Sequence, residues 1–534
     1  MTIGETMPSS APPRPRGGPS RTFAVVTALA ALAAFPGCTV ANSDAAGSTG
    51  TAGDTLRVVL AQEPPTLEPC EASLTSTGVV VRSNITEPLI ERDPESGELE
   101  PLLATAWERT GPSTWSLDLR SGVTFHDGQE FTAEDAAFSI DRAVNSGLAC
   151  NVDGYVFDGR DLEVEVTGDL SLSVTTEVPD PILPLRLSFI EVVPRTTSTE
   201  HKVREPVGTG PYVLDGWETG VSISLRRNDA YWGEPPAYPE ARYVWRSEPS
   251  VRAAMITRGE ADLATALNPE DATEDNSVAY PNNETVALRL DGREPPLDDI
   301  RVRRAIDMAV ERDAIASTLL AGLAEPAAQL VPEGVVGHDP ELRGTPTDPE
   351  AARELVAEAA ADGAPIDRRI TLVARNGMFP RVAETAEALQ YQMAQLGLNV
   401  RIEMLDTAAH LQYQLRPLPE NVGPVALLIM HGNQTGDAAF TASQYLLSEG
   451  AQSTFGTEEL DAEIAAAGEL SGADRQEALA GVLAHQNADV VQYAHVAHMR
   501  GLMGISPAVH YRPNSASGDE LRLAEVRPAG REGS

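Results

Sequence analysis

His495 and His498 stand i, i+3 apart, a spacing that on a helix would turn two imidazoles toward one metal ion. No cysteine or evident third ligand lies near them, so they read as core or surface histidines. His126 and Asp127 suggest an acid and base pair, but Gly128 follows them and turn chemistry accounts for them better. Lys202 is the only lysine, which removes the lysine of a phosphate-binding loop, and its polar surroundings argue against Schiff-base chemistry. The sequence contains no H-E-x-x-H, G-x-S-x-G or C-x-x-C. The sequence thus offers little for catalysis, and no catalytic residues, metal or cofactor are expected. The best binding candidate is the polar run His431-Gly432-Asn433-Gln434-Thr435-Gly436-Asp437, which directly follows the apolar segment Val425 to Met430. Ligands of open α/β sheets sit beyond the carboxyl ends of strands, where this run would lie.

The elements that must position this run follow from periodicity. Val425 to Met430 reads as a strand buried on both faces. Ile370, Leu372 and Ala374 alternate as a strand, Ala386 to Leu396 is helical and ended by Gly397, and Val400, Ile402 and Met404 alternate again, giving a strand–helix–strand unit. Val302, Ala305, Ile306, Ala309 and Val310 form the apolar stripe of a helix whose other side carries Arg301, Arg303, Arg304 and Asp307. Asp348 caps a further helix with Pro349 at its first position, burying Ala352, Leu355, Val356 and Ala359. Nearer the N-terminus, Leu117 to Phe125 is expected to be a hairpin turning at Gly122. Thr132 is expected to cap a helix with Glu134 and Asp135 in its first turn. Gly208 to Pro211 should be a rigid turn feeding a strand.

At 534 residues the chain exceeds one core, so two or three lobes are expected. Hydrophobic residues at 42% and charged residues at 22% are ordinary for a folded protein. The 79 Asp and Glu against 40 Lys and Arg would repel a polyanion, which argues against nucleic acid. Arg14, Arg16 and Arg21 precede the apolar run Phe23 to Phe35, the length of an export signal and too short to span a bilayer. Phe35-Pro36-Gly37-Cys38 follows and resembles a bacterial lipobox, although Phe35 and Pro36 depart from the usual small or Leu-like residues. The alternative is an ordinary signal peptide with a chance cysteine. Ala41 to Gly53 reads as a flexible tether. In an oxidising compartment Cys70 and Cys150 could pair, and spacing alone leaves that open.

Two longer blocks carry a family resemblance. Thr86 to Arg142 runs through a D-P-x-x-G-x-L turn, L-A-x-x-W, an alternating strand, L-R-x-G-V-x-F-H-D-G and T-A-E-D-A. Pro206 to Gly233 contains G-T-G-P-Y and N-x-x-Y-W-G, and P-L-D-D-x-R-V-R-x-A follows from Pro296. Together they resemble the solute-binding family 5 of ATP-binding cassette importers, over Asp54 to about Pro513.

The resemblance implies a type II periplasmic-binding-protein fold of class α/β. It places a signal peptide at 1–37 and a lipid-anchored tether at 38–54. Lobe I would comprise 55–90, 206–280 and 497–534, with a subdomain at 91–205, and lobe II would comprise 285–496. It implies an extracytoplasmic lipoprotein, monomeric and anchored through Cys38, that captures di- or oligopeptides and serves a membrane permease. Nickel chelates, oligosaccharides or opines are the alternatives within the family, and a ligand sensor is the alternative outside transport. In peptide-binding members an aspartate in the loop after the equivalent strand takes the peptide's α-ammonium, a role that falls here to Asp437. His431, Asn433, Gln434 and Gly436 would accompany it. Thr66, Leu67, Tyr212, Trp245 and Arg375 are further pocket candidates by resemblance and position.

Overall fold

A computed structural model describes residues 54–157, 159–514 and 520–530. Cys38, the apolar run before it and nearly all of the expected tether lie outside these residues. Seventeen strands carry the argument. The first seven are β1 (Thr55–Leu60), β2 (Ile90–Arg92), β3 (Leu99–Pro101), β4 (Ala104–Arg109), β5 (Thr114–Leu119), β6 (Leu162–Gly168) and β7 (Ser171–Thr176). Five follow: β8 (Tyr212–Glu218), β9 (Ser222–Arg227), β10 (Glu240–Trp245), β11 (Leu263–Ala264) and β12 (Ser277–Leu290). The last are β13 (Ala324–Pro326), β14 (Ile370–Arg375), β15 (Val400–Leu405), β16 (Val425–Gly432) and β17 (Tyr493–Ile505).

Among the described residues eleven strands form one mixed sheet, in the order β15-β14-β16-β12-β17-β11-β1-β10-β9-β8, with β13 also paired to β17. The expected strand–helix–strand unit is present. β14 lies parallel to both β15 and β16, and the helix Val382–Gln395 crosses over between β14 and β15. The long strands β12 and β17 run antiparallel through the middle of the sheet. Their ladder shifts register twice, once between Val286 and Ala287 and once, more widely, where Pro281 pairs with Arg500 and Thr285 with His498. Asn282, Asn283 and Glu284 therefore oppose Met499 alone, and Asn283 takes φ +57°.

The helix Ile300–Ala309 buries Val302, Ala305, Ile306 and Ala309 as its period demands. Arg303 and Asp307, expected on the solvent side, are buried as well. Arg303 donates to the carbonyls of Leu297 and Val490, at 2.8 and 2.9 Å, and Asp307 pairs with Arg312. Asp348 caps Pro349–Ala361, accepting from Glu350 N and Ala351 N at 3.1 and 3.0 Å. Thr132 and Asp135 form a reciprocal capping box at Ala133–Ile140.

A separate four-stranded antiparallel sheet has the order β4-β5-β7-β6. The expected hairpin over Leu117 to Phe125 does not form. β5 ends at Leu119 and pairs with β4 and β7 instead. Val123 and Phe125 alternate because both reach the same core from an irregular segment, not because they share a strand. Cys70 and Cys150 are joined, with Sγ–Sγ 2.04 Å.

The motif blocks meet at one buried carboxylate. Glu87 accepts from the hydroxyls of Thr209 and Tyr231 at 2.7 Å each and from Trp232 Nε1 at 2.9 Å. Around it the Gly208–Pro211 turn packs directly on the chain at Asn84 to Thr86. A Cβ on Gly208 would lie 2.2 Å from the carbonyl oxygen of Ile85, and one on Gly210 would lie 2.5 Å from that of Asn84. His126 joins the same turn, its ring Nε2 lying 3.0 Å from Gly210 O. These residues form an assembled structural joint, which accounts for their types without any catalytic role.

Candidate ligand-binding site

Strand β16 delivers the polar run to the centre of the sheet, where most of it is used internally. Asn433 donates from its backbone to Asn283 O at 2.8 Å and from Nδ2 to Leu330 O at 3.1 Å, while its Oδ1 accepts from the Thr441 hydroxyl at 3.0 Å. Because that hydroxyl spends its proton on Asn433, the His431 Nε2 2.8 Å from it must be the protonated ring nitrogen. Burial holds His431 neutral, pushing its pKa down to about 4. Its ring packs 4.2 Å from that of Tyr445.

Asp437 lines none of the three cavities described below. It is 2% exposed, and both of its oxygens are held by Arg475, with Nε–Oδ2 at 2.7 Å and Nη2–Oδ1 at 2.9 Å. It also caps the short helix Ala438–Thr441 by accepting from Ala439 N at 2.9 Å. A carboxylate committed in this way has little left to offer a ligand ammonium. Gly436 is required by its φ of +74° and by Arg92, whose Nη2 would lie 2.1 Å from a Cβ there. Arg92 Nη1 donates to Gln434 O. Gln434 is the residue of the run that faces open space.

The other candidates divide similarly. Tyr212 is fully buried, with its hydroxyl on Tyr238 O at 3.0 Å, and Leu67 lies in the same core cluster. Trp245 packs against that cluster at the end of β10. The Thr66 hydroxyl accepts from Glu68 N at 3.0 Å, and Arg375 Nη1 reaches the Thr407 hydroxyl at 3.4 Å. His495 and His498 lie in strand β17, not a helix, and a register shift between them pairs them with Ala287 and Thr285, two residues that share a face of β12. Burial pushes them down to about 3 and about 4.

The open space lies at the broken ladder. A cavity of about 290 Å³ is lined by Gln62, Thr75 and Ser76, by Thr265 and Tyr280, and by Gln434. A second, of about 470 Å³, is walled by Leu267 and Asn268 on one side and by Gly377 to Pro380 and Met430 on the other. Asn282, Glu284, Gly501 and Leu502 line both, so β12 and β17 form a common floor. Gly501 allows the Tyr280 ring to lie across it, since a Cβ there would fall 2.5 Å from that ring. A third cavity, of about 540 Å³, meets the second at Met499 and Arg500 and is lined by Asn283, Gln329, His338 and several acids.

Sequence reasoning missed this floor. Tyr280-Pro281-Asn282-Asn283-Glu284 has the composition of a loop and breaks the period that would have marked a strand. Its Pro and two Asn, inside what is otherwise a β-rich stretch, were the available signal for a bulge.

A profile of the bacterial extracellular solute-binding proteins, family 5 Middle, matches residues 98–452. The dipeptide-binding protein of Escherichia coli (strain K12) is 28% identical over 357 residues, covering 61% of this chain and 66% of that protein. The chain thus matches just under two thirds of that relative's length. Among solved structures, the ABC transporter substrate-binding protein CtaP of Listeria monocytogenes superposes with TM-score 0.77 at 20% identity, over 89% of this chain and 99% of that one. The periplasmic binding protein DppA of Helicobacter pylori, in complex with the peptide STSA, gives 0.73 at 19% identity, over 89% and 98%. The mixed sheet is that of the type II periplasmic binding proteins.

Proposed function

This chain belongs to the bacterial extracellular solute-binding proteins of family 5, and on that premise we propose that it captures di- or oligopeptides outside the cytoplasm and delivers them to the permease of an ATP-binding cassette importer. The family binds and does not convert, so closure on the ligand is the output. The division into a first lobe (55–90, 206–280, 497–534), a subdomain (91–205) and a second lobe (285–496) belongs to this proposal, as does anchoring through a lipidated Cys38.

The observation that carries the reading is the pair of joined cavities over the β12–β17 floor, walled by 265–269 on one side and by 377–380, Met430 and Gln434 on the other. A ligand touching both walls binds a closed arrangement better than an open one and shifts the population toward it. Gln62, Thr265 and Gln434 supply hydrogen-bonding groups for a peptide backbone, and Leu267, Phe379 and Met430 supply apolar surface for a side chain.

Native mass spectrometry before and after mild denaturation would reveal a co-purified ligand. Thermal melts against a peptide panel would follow: a ligand at a hundred times its Kd adds about 2.7 kcal/mol, a rise of several degrees. A flat response to every peptide would remove the peptide assignment.

A further inference from the structure

We propose that Phe440 is a latch: its ring, carried on the second lobe, plugs into the core of the 91–205 subdomain and holds the cleft shut, so that part of the work of closing is done before a ligand arrives. This rests on the lobe division proposed above and is independent of which ligand the cleft takes.

The buried apolar clusters sort by lobe. Two draw all their buried members from 286–499, and two others from residues before 268 and after 501. The fifth, around the four-stranded sheet, runs from Cys70 to Val192 and then takes in Phe440 alone. Among the buried members of these five clusters, Phe440 is thus the single side chain that sits with the other half of the molecule. It is 8% exposed, and the Arg186 guanidinium lies over its face, 4.6 Å from the ring centre. Arg186 is itself fixed, by Asp180 Oδ2 at 2.7 Å and by the carbonyl of Val156.

The subdomain is tied to the first lobe by the Cys70–Cys150 bridge and by the buried pair of Arg142 with Glu68 at 2.7 Å. A ring seated in the subdomain therefore fastens one lobe to the other. Arg92 adds a second hold on the same loop through Gln434 O. Phe440, Arg186 and Arg92 line none of the three cavities, so these contacts need no ligand atom. Opening the cleft would bring the ring into water and leave a hole in the subdomain core, a loss that one well-packed aromatic concentrates at an interface. A hold of one ring and two arginine contacts is still small, so the open form stays accessible to an entering ligand. With the closed form already populated, apparent affinity approaches the intrinsic affinity of that form.

The test is small-angle scattering on the full chain, refolded from denaturant to strip any co-purified ligand. Wild type is compared with Phe440→Ala, Phe440→Leu and Arg186→Gln, each shown to be folded by circular dichroism. Phe440→Ala should have the largest radius of gyration, with Phe440→Leu and Arg186→Gln between it and wild type. Calorimetry with trialanine should show Phe440→Ala weakened about tenfold, the effect of a closed fraction that falls from most of the molecules to about a tenth. A role in packing alone would lower the melting temperature and leave the radius unchanged. Equal radii for wild type and Phe440→Ala, or equal trialanine affinity, would overturn the latch while the peptide reading stands. Should Phe440→Ala fail to fold, Arg186→Gln carries the comparison, and a wild-type radius there overturns the latch. If the radii differ as expected and trialanine binds none of the forms, the latch holds and the loss falls on the peptide reading.

Discussion

Arg92 on β2 donates to the carbonyl of Gln434 beyond β16, so a residue of the β2–β3 ribbon holds the loop that ends in Asp437, 342 positions away in the chain. Its guanidinium fills the space that a side chain at Gly436 would need. A second contact lies nearby: Phe440 packs with the hydrophobic cluster of the four-stranded sheet, under the Arg186 guanidinium 4.6 Å from its ring centre.

Gly436→Ala should therefore lower stability on two grounds. A non-glycine residue at φ +74° costs about 1–2 kcal/mol, and the new methyl displaces Arg92. Thermal melts should show a loss of several degrees for Gly436→Ala and a smaller one for Arg92→Ala. The double variant should lose less than the sum, because the clash disappears with the arginine.

Asp437→Ala should act on folding and not on ligand affinity. It leaves Arg475 buried without its carboxylate, a loss of about 3–5 kcal/mol for a buried pair. Denaturant melts would measure that loss, and calorimetry well below the melting temperature should give a peptide Kd within about twofold of wild type. A tenfold weakening would return Asp437 to the binding site.

Glu87 has no cationic partner among its hydrogen bonds, and burial raises it to about 7 against the donors Trp232, Thr209 and Tyr231, which lower it. Its folded value lies above its unfolded one, so the folded state holds the proton more tightly. Below the unfolded value it costs nothing, and the penalty grows as pH rises from about 4.5 to about 7. The buried histidines 431, 495 and 498 act oppositely, since their lowered values cost stability as pH falls. The whole-protein profile mixes the two, and a variant separates them. Glu87→Gln should gain on wild type between pH 5 and pH 8, by up to about 3 kcal/mol at about 1.4 kcal/mol per tenfold change in proton affinity. A constant offset across that range would remove Glu87 as a titrating group.

Reducing the Cys70–Cys150 link should loosen the protein around the four-stranded sheet. The bridge spans 80 positions, and the chain-entropy account assigns such a loop about 4 kcal/mol. Calorimetric scans of the Cys70→Ser, Cys150→Ser variant should show a lower transition, and an unchanged one would mean that the thiols stay apart in solution.

Elements held by local rules were legible in the sequence, and those held by long-range contacts were not. The stripe of Ile300–Ala309, the Asp348 cap and the units around β14 to β16 follow from period and capping alone. Val123 and Phe125 misled because burial in a shared core imitates strand alternation. The ligand role expected of Asp437 came from the resemblance, and its ion pair was not legible beside it, because Arg475 lies 38 residues away and nothing in the sequence links them. Glu284 was missed for the reverse reason: its neighbours Pro281, Asn282 and Asn283 look like a loop, and only the pairing of β12 with β16 and β17 reveals a strand.

The single shared sheet also bears on how such a molecule would move. With β12 and β17 as continuous struts, its two ends cannot swivel on slack connectors, and any relative motion must flex these strands. The place with fewest rungs to resist that flexing is the stretch from Asn282 to Glu284 opposite Met499. A guest seated there would press on the beam at its softest point, so grip and bending would be one mechanical event.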